Sequence, residues 1–179
     1  MIQKKYKRAI DGGVIEIPLW GNFGFVYAKH IDGTKHEELG RLLSIIKVYN
    51  FISPQPLDDI TILKTKEYLY TGILVAGLPP TITKGYWKVI GKAELTLHDI
   101  QPLIFKKRAS PNERWKLTIN GDREIKSNDE VIWDQYEEYK YRGTGNIELR
   151  LTLKFMELEN VDPSNYLDLK DERIKWMLN

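Results

Sequence analysis

At 179 residues, with 42% hydrophobic and 29% charged side chains, the chain can bury an ordinary core as one domain and is too apolar to remain disordered. Lys plus Arg number 27 against 25 for Asp plus Glu, a balance that gives no general attraction to nucleic acid or membrane. The absence of Cys removes disulfides, thiolate zinc sites and cysteine catalysis together.

The first eight residues, Met1-Ile2-Gln3-Lys4-Lys5-Tyr6-Lys7-Arg8, are basic but lack the apolar run of a signal peptide. The longest apolar run, residues 72–80, is too short to span a bilayer. Together with the missing Cys, these features predict a soluble, cytoplasmic protein.

Strand signals come first. Ile15, Ile17 and Leu19 alternate with Glu16 and Pro18, and Phe23, Phe25, Tyr27 and Ile31 continue the period of two beyond Gly21-Asn22, a hairpin turn signal. Pro18 has no N–H to donate to a ladder, so the first strand is expected at a sheet edge there. Residues 42–51 and 68–76 are more continuously apolar and β-branched, as central strands are. Ser53-Pro54-Gln55-Pro56 breaks the chain between them, and a further strand is expected from Gly85 to Ile90. Trp115 to Ile119, then Asn120-Gly121, then Arg123 to Ile125 spell another hairpin.

Helical signals come late. Ser127 with Glu130 three residues on has the form of a capping box, and Ile132, Tyr136 and Tyr139 fall on one helical face before Gly143. Ile147, Leu149, Leu151, Leu153 and Phe155 alternate strictly, which predicts a strand, although Ile147, Leu151 and Phe155 also share a helical face. A short helix is expected near the C-terminus, over residues 171–178.

Chemistry-bearing constellations are few. His30 and His36 bracket Asp32 beside Glu37 and Glu38, but the spacing matches no metal-ligand motif and Asp32-Gly33-Thr34-Lys35 has the composition of a solvated turn. The adjacent acids Asp58-Asp59 and Glu137-Glu138 have nothing beside them to raise a pKa. Ser44, Ser53 and Ser110 sit in no nucleophile-elbow context, and Gly21-Asn22-Phe23-Gly24 lacks the third glycine and following helix of a phosphate loop. No catalytic residue, cofactor or metal follows from the sequence.

Two charged clusters remain. Lys106-Lys107-Arg108, with Arg114 beyond, could hold single-stranded nucleic acid beside exposed aromatics. Between residues 129 and 138 stand five carboxylates, with no Lys or Arg and with Trp133 and Tyr136 interleaved. Aromatic anchors in a charged frame describe a protein-binding hot spot, so Asp129, Glu130, Trp133, Asp134, Tyr136, Glu137 and Glu138 are the candidate partner-binding residues. On a helix their acids would steer a basic partner, and replacing Asp134, Glu137 and Glu138 by Lys is expected to remove binding without disturbing the fold. An ordinary amphipathic helix with its aromatics in the core is the competing reading.

With these residues in view, the chain resembles the immunity protein 26 family of bacterial polymorphic toxin systems. The resemblance rests on the aliphatic run ending in Ile17-Pro18-Leu19 after Gly12-Gly13, on Gly24-Phe25-Val26-Tyr27-Ala28, and on Trp87-Lys88-Val89-Ile90-Gly91. It covers about Gly12 to Leu103. The family's acidic residue at the second position of the opening motif is Gly13 here, and residues 111–142 carry no matching motif. The resemblance implies a stoichiometric inhibitor of a cognate toxin domain, with no chemistry of its own, and favours a helix near residues 146–157. It transfers no binding residues.

The expected architecture is α+β over residues 1–179 as a single domain. A strongly curved, partly barrel-like antiparallel sheet occupies the first two-thirds, with helices toward the C-terminus. The β-rich part is placed at 11–105, and a hairpin with helices at 106–179.

Overall fold

A computed structural model describes residues 6–126 and 132–178. The elements run β1 (Gly13–Pro18), β2 (Phe25–Asp32), β3 (Ser44–Ser53), β4 (Tyr68–Ala76), α1 (Leu78–Thr83), β5 (Lys88–Lys92), α2 (Leu97–Ile100), β6 (Ile104–Lys107), β7 (Lys116–Ile119), β8 (Arg123–Ile125), β9 (Glu137–Glu138), β10 (Arg142–Gly143), α3 (Thr144–Leu158) and α4 (Glu172–Leu178). The class is α+β, with the longest helix late in the chain, as the sequence predicts.

Two sheets form, in the orders β10-β4-β3-β2-β1-β5 and β8-β7-β6-β9. They differ from the expected sheet in two respects. Neither closes into a barrel, and each is mixed, because β10 runs parallel to β4 and β9 parallel to β6. The β1–β2 reversal is tight because Gly21 and Asn22 take φ of 67° and 54°. Pro18 pairs with Phe25 on one side, while β5 reaches β1 no further than Glu16, so the missing N–H falls where no second strand among the described residues needs it.

Alternation along the strands divides the core. Val26 and Ala28 of β2, Ile46 and Val48 of β3, and Ile73 and Val75 of β4 face one layer with Trp87 and with Ile147, Leu151 and Phe155 of α3. The opposite face is covered in two places. Ile31, Ile45 and Leu74 meet Phe105 of the second sheet and Leu103 just before it, while Tyr27, Tyr49 and Val14 meet Leu63 from the connection between β3 and β4. The first sheet is thus buried on both sides, which explains its continuously apolar strands.

Residues 147–155 are helix, not strand. Ile147, Leu151 and Phe155 pack on the sheet, while Leu149 and Met156 pack with Leu167 and Ile174 under α4. A helix buried on two faces needs apolar residues more densely than one stripe supplies, and here that density imitates a period of two.

The helix expected around Ile132, Tyr136 and Tyr139 is absent from its described part; Ser127 and Glu130 of the capping pattern lie outside the described residues. Trp133–Gln135 is one 3-10 turn, and Glu137 and Glu138 pair with Phe105 and Lys106. The Tyr139 N–H continues this connection by donating to the Lys106 carbonyl at 2.9 Å. The edge of β6 satisfies these backbone groups, and that outweighs a weak helical propensity.

The outer face of the first sheet also carries a buried polar cluster. Asp99, at the start of α2, accepts from the Thr96 N–H and hydroxyl at 2.9 and 3.0 Å, from Lys29 Nζ at 2.9 Å and from the Tyr68 hydroxyl at 2.9 Å. Burial alone would raise this carboxyl, but the donors around it prevail and hold its pKa at about 2. Lys47, almost fully buried, donates to the His98 carbonyl at 2.8 Å; burial pushes its pKa down against the attraction of Asp99. Together these bonds fasten α2 to β2, β3 and β4.

A folded carboxyl more acidic than its ordinary value of 3.8 contributes stability above that pH and loses it as pH falls toward about 2. Urea unfolding across this range is expected to show an acid limb that Asp99→Asn flattens, with lower stability of the variant at neutral pH.

Candidate partner-binding trough

The second sheet and α3 do not meet edge to edge. Between them runs a trough formed by two adjoining clefts of about 880 and 690 Å3 that share Tyr70, Asp134, Tyr136, Glu137, Arg150 and Lys154. One wall is the segment leading into β9. The other is α3, where Arg150, Lys154 and Glu157 recur at helical spacing on one face.

Arg150 joins the walls. Its guanidinium donates to both carboxylate oxygens of Glu137 at 2.5 and 2.6 Å and lies 4.7 Å from the centre of the Tyr70 ring. Three elements, α3, β9 and β4, therefore meet on one planar cation, and two parallel bonds fix its orientation. Burial works against the charge of Arg150, but Glu137 reverses that effect and raises its pKa. Burial raises the pKa of the Tyr70 hydroxyl, and the neighbouring guanidinium offsets part of the rise.

The sequence-derived candidates do not act as one acidic face. Asp134, Tyr136, Glu137 and Glu138 line the trough, whereas half-buried Trp133 lies outside its lining. Asp129 and Glu130 lie outside the described residues. Glu138 pairs with Arg142 at 3.2 Å, and fully exposed Asp134 stands 3.9 Å from Lys106. Four cations, Lys106, Arg142, Arg150 and Lys154, line the larger cleft with four carboxylates, Asp134, Glu137, Glu138 and Glu157. The surface is a lattice of matched charges rather than an acidic stripe. The proposed triple lysine substitution consequently would not leave the fold untouched, because Glu137 is a structural partner of Arg150.

The basic cluster is likewise engaged internally. Lys106 Nζ donates to the Trp133 carbonyl at 3.1 Å and Lys107 Nζ to the Gly121 carbonyl at 2.7 Å, while Arg108 stacks 4.2 Å from the Trp115 ring centre. Lys106 also faces the Trp115 ring, and Lys107 faces the Tyr139 ring, so each cation of the cluster has a carbonyl or ring within the protein. His30 bonds to the Ile10 carbonyl and the Ser44 hydroxyl, and His36 faces Asp11 at 3.0 Å. Among the described residues no group of three His, Cys, Asp or Glu side chains could hold a metal ion. No helix among them is long and apolar enough to cross a membrane.

Sequence reading missed Tyr70, Arg150, Lys154 and Trp176 as trough residues. The signal for Arg150, Lys154 and Glu157 emerges once residues 144–158 are read as helix, because a strand separates what a helix stacks. Trp176, exposed on α4, reaches the trough through the tertiary fold alone.

The architecture defines an α+β protein in which the strands carrying the recognised motifs, β2, β1 and β5, lie side by side. The family model for Immunity protein 26 matches residues 10–117, and the chain belongs to that family. No curated protein and no solved structure matches the chain. Most of the trough's acidic wall and all of α3 lie beyond the matched segment. Within it, Trp87 fills the core, and Gly24 has φ of 142° where a Cβ would meet the Ser53 carbonyl oxygen at 2.7 Å.

Glu137→Gln is expected to weaken the ionic bonds to Arg150 and lower stability by about 1.5–3 kcal/mol. Asp134→Lys, on a fully exposed side chain, is expected to leave the urea midpoint unchanged. Paired unfolding curves check the contrast.

Proposed function

We propose that the protein neutralises a cognate bacterial toxin by stoichiometric binding, acting from the cytoplasm within a polymorphic toxin system and without catalysing a reaction. Membership of the immunity protein 26 family carries this reading. The contact proposed is the trough wall that carries Asp134, Tyr136, Glu137 and Glu138, with its flank on α3. A rigid face with matched charges suits specific protein recognition, since a wrong partner would leave desolvated ions unpaired. Its zwitterionic character favours a toxin surface that also alternates in charge over a uniformly basic one. Tyr136 supplies an aromatic anchor, and half-buried Trp133 lies on the same segment.

The test is co-expression of the toxin domain encoded beside this gene, with and without this protein, scored by cell survival. Rescue and co-purification are expected. Tyr136→Ala and Asp134→Lys should each weaken the purified complex by about ten- to thirtyfold while the protein stays folded. Absence of rescue by well-expressed, folded protein would contradict the proposal.

A further inference from the structure

The charges that balance in the trough do not balance in a further cleft, of about 570 Å3, on the outer face of the first sheet. One wall is the connection between β3 and β4, which contributes Lys64 and Lys66. The other runs from Lys92, at the end of β5, into α2. Lys29 and Asp99 of the buried polar cluster also line it. Four lysines thus face two carboxylates, Asp99 and Glu94, and Asp99 is already held by Lys29, Thr96 and Tyr68. Among the described residues Lys64, Lys66 and Lys92 form no ion pair. Asp59, the acid on the same connection as Lys64, caps its 3-10 turn by accepting from the Thr61 N–H.

The excess continues beneath the cleft. Lys47 is almost fully buried, and its ammonium shares the attraction of Asp99 with Lys29. Two buried cations therefore depend on one carboxylate. Burying a cation without its own counter-charge is unfavourable, and an anion brought to the cleft would offset part of that penalty.

The position of the cleft indicates where the anion comes from. His98 lines both it and the smaller cleft of the trough, so the two adjoin at α2. Ile62 and Leu97, 44% and 84% exposed, stand on the same connection and on α2. Lysines with apolar side chains around them suit the acidic residues of a protein surface. A nucleic-acid strand would find no open aromatic face, because the Tyr68 ring lies between Lys29 and Lys47 and packs on Tyr49.

We infer that this cleft receives acidic side chains of the toxin, from the part of its surface next to that held in the trough. This deepens the proposed function, on which it rests, and extends the contact past α2. A carboxylate entering between the walls would meet Lys64 and Lys66 on one side and Lys92 on the other, above Lys29. Such exposed cations act mainly by steering the encounter, an effect that salt screens.

The test uses the full-length protein and the toxin domain encoded beside its gene, with complex formation followed by size-exclusion chromatography. Carbodiimide, which joins an amine to a carboxylate in direct contact, is expected to link Lys64, Lys66 or Lys92 to an Asp or Glu of the toxin. Lys64→Glu combined with Lys92→Glu, both on exposed side chains, should slow association by at least about tenfold at low salt, with an unchanged urea midpoint. The difference should narrow as salt is raised, and Lys84→Glu, an exposed lysine outside the cleft, should associate as the unaltered protein does. A stable complex whose cross-links arise only from other lysines, or whose association the double variant leaves unchanged, would overturn the inference and leave the proposed function standing. Failure of the toxin domain to form any complex would overturn both. Retention of the unaltered protein but not the double variant on single-stranded DNA, with toxin binding equal in the two, would assign the cleft to nucleic acid and also overturn the inference.

Discussion

The position of Arg150 depends on three separately built parts of the molecule. It projects from a helix laid across one face of the first sheet, pairs with a carboxylate on the rim of the second sheet, and stacks on an aromatic ring at the first sheet's edge. Its two parallel bonds to Glu137 set the spacing of the trough walls, and the spacing determines what the trough can admit. The pair is only partly buried, which places it between surface ion pairs of little value and deeply buried pairs whose desolvation cancels their attraction. Its main consequence is geometric: it fixes one arrangement of α3, β9 and β4 where apolar packing alone would permit sliding.

The same economy of charge extends along the trough. Carboxylates that look available in the sequence already face cations, and the cations of the basic cluster already face carbonyls or rings. A partner bound at the proposed trough would have to exchange these contacts for its own, so its complementarity would have to be matched group by group. That condition suits an inhibitor which must bind its own toxin tightly and reject those of its neighbours.

Much of the first sheet was legible because its strands announce themselves through period, turn chemistry and β-branched composition. Tyr68–Ala76 has the bounds read from the residues, and the Asn120-Gly121 turn joins β7 to β8. Where reading failed, tertiary context decided. The alternation in α3 comes from burial on two sides, and the segment around Tyr136 is drawn into pairing by an open strand edge. Trough residues on α3 were invisible for the first reason, and the internal use of Glu137 for the second. Pairing between Arg150 and Glu137 leaves no local mark, since neither residue's neighbours indicate the other. The family resemblance favoured the helix over residues 146–157, and the structure agrees.

An inhibitor that acts by occupying its target consumes itself in doing so, while an enzyme does not. The most direct measurement is a titration of the toxin domain's activity with this protein at concentrations far above the dissociation constant. The account predicts a linear fall that reaches zero at a fixed whole-number ratio of the two chains and does not deepen with time. Inactivation that progresses at substoichiometric amounts, or toxin activity indifferent to a large excess of folded protein, would contradict it.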